Sequence, residues 1–403
     1  MSYAKFTDEM KKDYTILVPT MLPVHFTMAV SVLKAYGYNA VLLKNKGDAV
    51  KSAGLKYVHN DTCYPAQVVI GQLIDAVENG GYDKNKVALL ITQTGGGCRA
   101  SNYIFLLRKA LEKAGYGYVP VLSLNVVGLD NALKLTLPML NKMMYAIFIG
   151  DLLMCIGNQC TPYEKVKGET AALVKKWRNK CADMLANQKI KYNEVKQAMK
   201  NIVKEFSQIP RISEKKPKVG IVGEIFVKFS PLGNNDLEDF LDSQGAEVRM
   251  GGLMDFLLYC VYNSIIDKEL YGTGKVKAFG AKLMYKFLVS RQQDMIDIIK
   301  QNSDFESPSL FEHTRKLTKG FIGMGVKMGE GWLLTAEIIE LIESGVKNVI
   351  CAQPFGCLPN HIVGKGMAKR IKEAYPDVNI VAIDYDAGAS RVNQENRIKL
   401  MLA

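Results

Sequence analysis

The stretch Val349-Ile-Cys-Ala-Gln-Pro-Phe-Gly-Cys-Leu-Pro-Asn-His361 decides the fold. A short apolar run stops at a Pro/Gly turn and a helical pattern starts at once, so the sequence predicts a strand-to-helix corner carrying Cys357. The layout recurs. Val87-Ala-Leu-Leu-Ile-Thr92 reads as a buried strand, followed by the glycine loop Gly95-Gly-Gly-Cys98 and a helix from Asn102. Cys63, in Asn60-Asp-Thr-Cys-Tyr-Pro65, precedes the helical spacing of Val68, Val69, Leu73, Ile74 and Val77. Three cysteines thus sit at or just before helix N-termini. Free amide N–H groups and the positive end of the macrodipole there lower a thiol pKa and favour bound negative charge. A thiolate-ligated iron–sulfur cluster carries such charge, and its potential responds to amide hydrogen bonds at sulfur.

Outward from these corners, strand and helix signals alternate. Thr15–Val18, Ala40–Leu43, Val87–Thr92 and Val119–Leu124 read as strands, with helices at Met28–Tyr36, after Cys63 and after Cys98. From Tyr163 to Phe206 the apolar period becomes helical, and Pro210 with Pro217 closes this stretch. A second series begins at Lys218-Val-Gly-Ile-Val-Gly223. It continues through a helix over Asn235–Gln244, a strand at Glu247–Met250, a long helical region, the glycine-rich segment Gly320–Gly331 and a helix over Leu333–Ser344. The strand at Asn348–Ala352, the helix after Cys357 and a last strand at Asn379–Asp384 complete it. Strands spaced by amphipathic helices predict an α/β fold of two parallel-sheet domains, residues 1–162 and 214–403, joined by a helical linker over 163–213. In such sheets ligands gather beyond the carboxyl ends of the strands.

At 403 residues and 48% hydrophobic composition the chain can bury a large core. The N-terminus lacks a secretion pattern, and eight cysteines without such a signal point to a reducing, cytoplasmic setting in which thiols are ligands or core residues. Met139–Gly157 is the most apolar stretch, but Asn141, Lys142 and Asp151 interrupt it, so it reads as a buried helix rather than a membrane span. The net charge of +12 is concentrated partly between Lys165 and Lys218, where lysines alternate with an apolar face. That pattern reads as a solvated helix face and does not indicate nucleic-acid binding.

Cys63, Cys98 and Cys357 are the candidate metal ligands. Cys351 reads either as a fourth ligand or as core. Cys155 and Cys160 flank a helix end and read as core or as a second metal site, whereas Cys181 and Cys260 read as core. His361, in the first turn after Cys357, is a candidate proton donor, hydrogen-bond donor to the metal site, or cap. Arg99, Asn102 and Asn360 are candidate donors beside the cofactor. Gly323-x-Gly325-x-x-x-Gly329 lacks dinucleotide-fingerprint spacing.

The segments Asp61-Thr-Cys-Tyr-Pro65, Gln93-Thr-Gly-Gly-Gly-Cys-Arg-Ala-Ser-Asn-Tyr103, Gln353-Pro-Phe-Gly-Cys-Leu-Pro-Asn-His361 and Ile383-Asp-Tyr-Asp-Ala-Gly-Ala-Ser390 resemble the acyl-CoA dehydratase activase-related proteins. Those belong to the 2-hydroxyacyl-CoA dehydratase and benzoyl-CoA reductase superfamily. The resemblance implies two flavodoxin-like domains clasping an iron–sulfur cluster, reduced by an ATP-hydrolysing activator with its own cluster. The expected cofactor is a [4Fe–4S] cluster, with a double-cubane [8Fe–9S] cluster as the alternative. The expected chemistry is electron transfer, or reduction or dehydration of a small molecule or acyl-CoA, and a homodimer is a further expectation. Nothing in the chain resembles a nucleotide-phosphate loop, so ATP hydrolysis is expected on a separate protein. A scaffold stabilised by zinc is the rival reading, since three cysteines and a histidine also form a zinc set.

Overall fold

The computed structural model describes residues 3–92, 97–124, 133–272 and 274–403. Two parallel sheets organise the chain. The first contains β1 (Thr15–Val18), β2 (Ala40–Leu42), β3 (Val87–Thr92) and β4 (Val121–Leu124), in the order β2-β1-β3-β4. The second contains β5 (Lys218–Gly223), β6 (Glu247–Arg249), β7 (Asn348–Pro354) and β8 (Asn379–Tyr385), in the equivalent order β6-β5-β7-β8. Every pairing between these strands is parallel, so the fold is a pair of Rossmann-like α/β units. The central strands are continuous apolar runs because helices cover both faces: Val87–Ile91 and Val349–Pro354 are buried throughout.

In each sheet the chain reverses its winding between the first and third strands, β1/β3 and β5/β7. That switch opens a crevice beyond the carboxyl ends. Cys98 follows β3 and Cys357 follows β7, so the crevices carry two of the corners singled out by the sequence; Glu224 follows β5.

Between the sheets the 163–213 segment is packed rather than extended. Its helices, Glu169–Ala186 and Tyr192–Phe206, bury Trp177, Cys181, Val195, Met199 and Phe206 in a core shared with the Pro23–Ala35 and Leu137–Cys160 helices. Leu137–Cys160 is the one helix among the described residues long and apolar enough to cross a membrane, and 61% of its most apolar window is buried within the protein. Asp151 on this helix reaches the second domain: its carboxylate accepts from the N–H groups of Leu253 and Met254, both at 2.9 Å, and faces His25 Nε2 at 2.9 Å. The N-terminus of the Leu253–Tyr271 helix is thereby capped by a side chain from the other domain.

Several boundaries differ from the sequence reading for identifiable reasons. Asn235 and Asp236 adopt left-handed backbone, so the helix expected from Asn235 begins at Leu237. The long helical region is two helices, Leu253–Tyr271 and Lys275–Asn302, broken where Gly272 and Gly274 take positive φ. Cys260, read as core, is exposed on the first of them, whereas Cys181 is fully buried.

Candidate metal centre between the two domains

Each of the three corner cysteines occupies the residue before a helix. Cys63 precedes the Tyr64–Asn79 helix, Cys98 precedes a 3-10 turn (Arg99–Asn102) leading into the Tyr103–Lys113 helix, and Cys357 precedes Leu358–Val363. Proline at the second helical residue, Pro65 and Pro359, suits a position whose N–H has no intrahelical acceptor. Gln67 fixes the loop leading into Cys63 by donating to the carbonyls of Asn60 (3.1 Å) and Thr62 (3.0 Å). Of the glycine loop expected before Cys98, Gly95 and Gly96, with Gln93 and Thr94, lie outside the described residues.

The corners meet across the domain boundary. Tyr64 N–H donates to the Phe355 carbonyl at 3.1 Å, joining the helix after Cys63 to the turn before Cys357. Gly356, at φ +73°, leans on Cys63: a Cβ there would stand 3.3 Å from Cys63 Cα. Tyr103, on the helix after Cys98, places its hydroxyl 3.2 Å from Cys63 Sγ. A third element closes the group. In the glycine-rich segment, Met328 abuts Gly97, whose Cβ would run into the Met328 sulfur, and Gly329 approaches Pro359, which would lie 3.2 Å from an added Cβ. The segment that lacks a dinucleotide fingerprint is therefore the wall between the Cys98 and Cys357 corners.

Burial pushes all three thiols up in pKa, and the neighbouring charges add to this. Cys98 feels Glu330, Cys63 and Glu224, while Cys357 feels Glu330, Glu224 and Cys63. The backbone N–H groups of Ala66, Ala100 and Asn360, in the first turns, face the three sulfurs and pull the other way, with less effect. Cys63 is buried and Cys98 and Cys357 are half-buried; burial opposes ionisation of each while a helix amide favours it, so a soft, positively charged group would be needed to hold them as thiolates. Among the described residues no set of three His, Cys, Asp or Glu side chains is drawn together around a single ion. An iron–sulfur cluster is larger than one ion and spreads its thiolates farther apart.

Two carboxyls that the sequence reading passed over face the same cleft. Glu224 ends the β5 corner and accepts from Val227 N–H at 2.9 Å; Glu330, between Gly329 and Gly331, accepts from Ile225 N–H at 2.9 Å. Burial and the charge of Glu330 raise Glu224 to about 8, and burial raises Glu330 as well. The negative charge of Glu330 thus opposes ionisation of Glu224. No motif marks them in the sequence; a Glu between two glycines, Gly329-Glu-Gly331, is the only local sign.

The remaining candidates are placed as follows. Cys351, on β7, is buried in the core with Leu334 and Val363; its Sγ lies 3.6 Å from Asn360 Oδ1, and burial pushes its thiol up to about 12. Asn360 is fully buried with Nδ2 unpartnered among the described residues, an orphaned donor one turn from Cys357. His361 engages both ring nitrogens at 2.8 Å: Nδ1 faces the Cys357 carbonyl and Nε2 faces Gln353 Nε2, which also donates to Asp384 Oδ1 at 2.7 Å. That pattern corresponds to the neutral ring protonated at Nδ1. Arg99 donates to the Asp61 carbonyl, tying the Cys98 and Cys63 corners together, and Asn102 is exposed. Cys155 faces the Glu306 carbonyl at 3.8 Å and Cys160 the Phe206 carbonyl at 3.9 Å, so both lie within the helical layer.

A scan against family models and a search of curated proteins each found no match for the chain.

Proposed function

We propose that this protein is an iron–sulfur electron carrier or reductase component in which Cys63, Cys98 and Cys357 are the thiolate ligands of a [4Fe–4S] cluster between the two α/β domains. The observation that carries the reading is the meeting of three helix-start cysteines from both domains, with Tyr64 bonded to Phe355 and Gly356 seated on Cys63. When bound, such a cluster supplies one low-potential electron at a time, and with three protein thiolates it leaves an iron open to a substrate oxygen.

The chain's own groups would serve that chemistry in distinct ways. The Ala66, Ala100 and Asn360 amides stabilise negative charge on sulfur, as does the Tyr103 hydroxyl at Cys63. Glu224, raised to about 8 by burial and by the charge of Glu330, is the group that would deliver a proton to an anion formed in the cleft. Met328, against Gly97, packs beside the Cys98 corner. As the resemblance implies, the electron would come from a separate ATP-hydrolysing activator. The substrate class is a small molecule or an acyl-CoA.

Anaerobic purification followed by iron, acid-labile sulfide and zinc quantitation, with electron paramagnetic resonance of the reduced protein, tests the reading. A brown protein with about four iron and four sulfide per chain and a reduced-cluster signal is expected. A colourless protein with one zinc and no sulfide would replace the proposal with a zinc scaffold.

A further inference from the structure

A second charged cavity lies at the opposite, amino-terminal edge of the second sheet. It has a volume of about 770 Å³ and is bounded by the starts of β5 and β6, the turn before β7, the 211–217 segment and the loop Asp304–Glu306. At 3.3 Å per residue along a strand, it stands roughly 20 Å from the carboxyl-end cleft, so it is a separate site.

Arg211, Lys215, Lys216, Lys218, Arg249 and Lys347 line it. The acidic groups among the lining residues are Glu247, Asp304 and Glu306, and Lys216 is paired with Glu214 at 3.1 Å, so the unpaired positive charge among the lining residues is that of Lys215 and Lys347. Each of these acids is already engaged. Asp304 is gripped by Arg211 at 2.6 and 2.9 Å, Glu306 by Lys218 at 2.6 Å and Arg249 at 2.8 Å, and Glu247 accepts the Tyr163 hydroxyl at 2.7 Å. Asp304 is held below the usual carboxylate range by Arg211; Glu306 is held there by Lys218 and Arg249 against the opposing effect of burial.

These pairs do more than neutralise charge. They hold Arg249, whose side chain is only 16% exposed, and stack Arg211 on the Phe305 ring at 4.7 Å, so the cationic wall is fixed in place. Lys215 and Lys347 project from the rim with no ion pair among the described residues. A concave wall with a net positive charge draws an incoming anion toward it. The volume falls within the roughly 300–1,000 Å³ of small-molecule sites and exceeds what a single phosphate would fill.

We propose that this cavity binds an oligophosphate anion, either inorganic or carried by a nucleotide, with Lys215 and Lys347 supplying the unspent charge. The proposal does not depend on the cluster reading. Isothermal titration calorimetry on the full chain would use pyrophosphate, ADP and sulfate as probes, against the wild type and a Lys215→Glu/Lys347→Glu variant. Both substituted residues are exposed, and a matching circular-dichroism melt would certify the fold. Pyrophosphate and ADP are expected to bind at least about tenfold more tightly than sulfate, and the double variant to lose at least about tenfold in affinity. ADP binding more tightly than pyrophosphate would identify a nucleotide as the source, and equal binding an inorganic chain. Absence of binding below about 1 mM, sulfate binding as tightly as pyrophosphate, or an unaltered double variant would overturn it.

Discussion

Gly356, at φ +73°, approaches Cys63 across the domain boundary so closely that an added Cβ would stand 3.3 Å from Cys63 Cα. Two of the cysteine corners are therefore set against each other by backbone, before any side chain is considered. Gly356→Ala is expected to cost more than Gly345→Ala, which has a similar φ of +87° but open space around it. Backbone strain alone is worth about 1 kcal/mol in each. Denaturant unfolding of both variants should show an additional loss for Gly356→Ala, and equal losses would mean that the contact yields freely.

Asp151 fastens the domains from the far side of the cleft. It is buried, receives the N–H groups of Leu253 and Met254, and faces His25. Asp151→Ala strands those donors, each at a cost of about 1–3 kcal/mol. A total loss of about 3 kcal/mol or more in urea unfolding is expected, with Asp151→Asn recovering part of it. A loss below about 1 kcal/mol would show that water takes over the cap.

Two acids with raised pKa values, Asp255 and Glu224, should make stability fall with rising pH. Burial raises Asp255 from 3.8 to about 8, with Glu337 adding to the effect, and Glu224 is raised from 4.5 to about 8. The folded chain retains these protons where the unfolded chain has lost them, so the penalty is absent below about pH 4 and grows between about pH 4 and 8, by up to about 1.4 kcal/mol per pH unit for each group. Asp255→Asn keeps the 2.8 Å bond from Gln292 and cannot ionise. Its melting temperature is expected to exceed that of the wild type at pH 8 and to approach it at pH 4. Parallel curves at all pH values would contradict the assignment.

His361 is spoken for by Gln353 and the Cys357 carbonyl. His361→Ala should therefore leave iron content nearly intact and lower stability by about 1 kcal/mol. Iron loss as complete as in Cys357→Ser would make His361 a ligand.

The strands and the corners were legible because both are local. Buried parallel strands are continuous apolar runs, and Pro or Gly beside Cys63, Cys98 and Cys357 punctuates them. The parallel sense of both sheets follows from the repeated β-α alternation. What escaped the sequence is what depends on distant chain. Glu224 and Glu330 are 106 positions apart and meet only because the glycine-rich segment folds back between two corners. Asn235 and Asp236 are residue types that tolerate left-handed backbone, a local signal that the helical reading from Asn235 passed over. Cys260 sits on an apolar helix that leaves part of its surface uncovered, so helical periodicity alone misread it as core.

The central claim is that Cys63, Cys98 and Cys357 together hold one cluster, and iron content per chain in single serine variants purified anaerobically tests it most directly. Cys63→Ser, Cys98→Ser and Cys357→Ser are each expected to lose most of the iron and sulfide, while Cys181→Ser, in the helical core, retains both. Full iron in any of the first three would remove that residue from the ligand set, and full iron in all three would contradict the account.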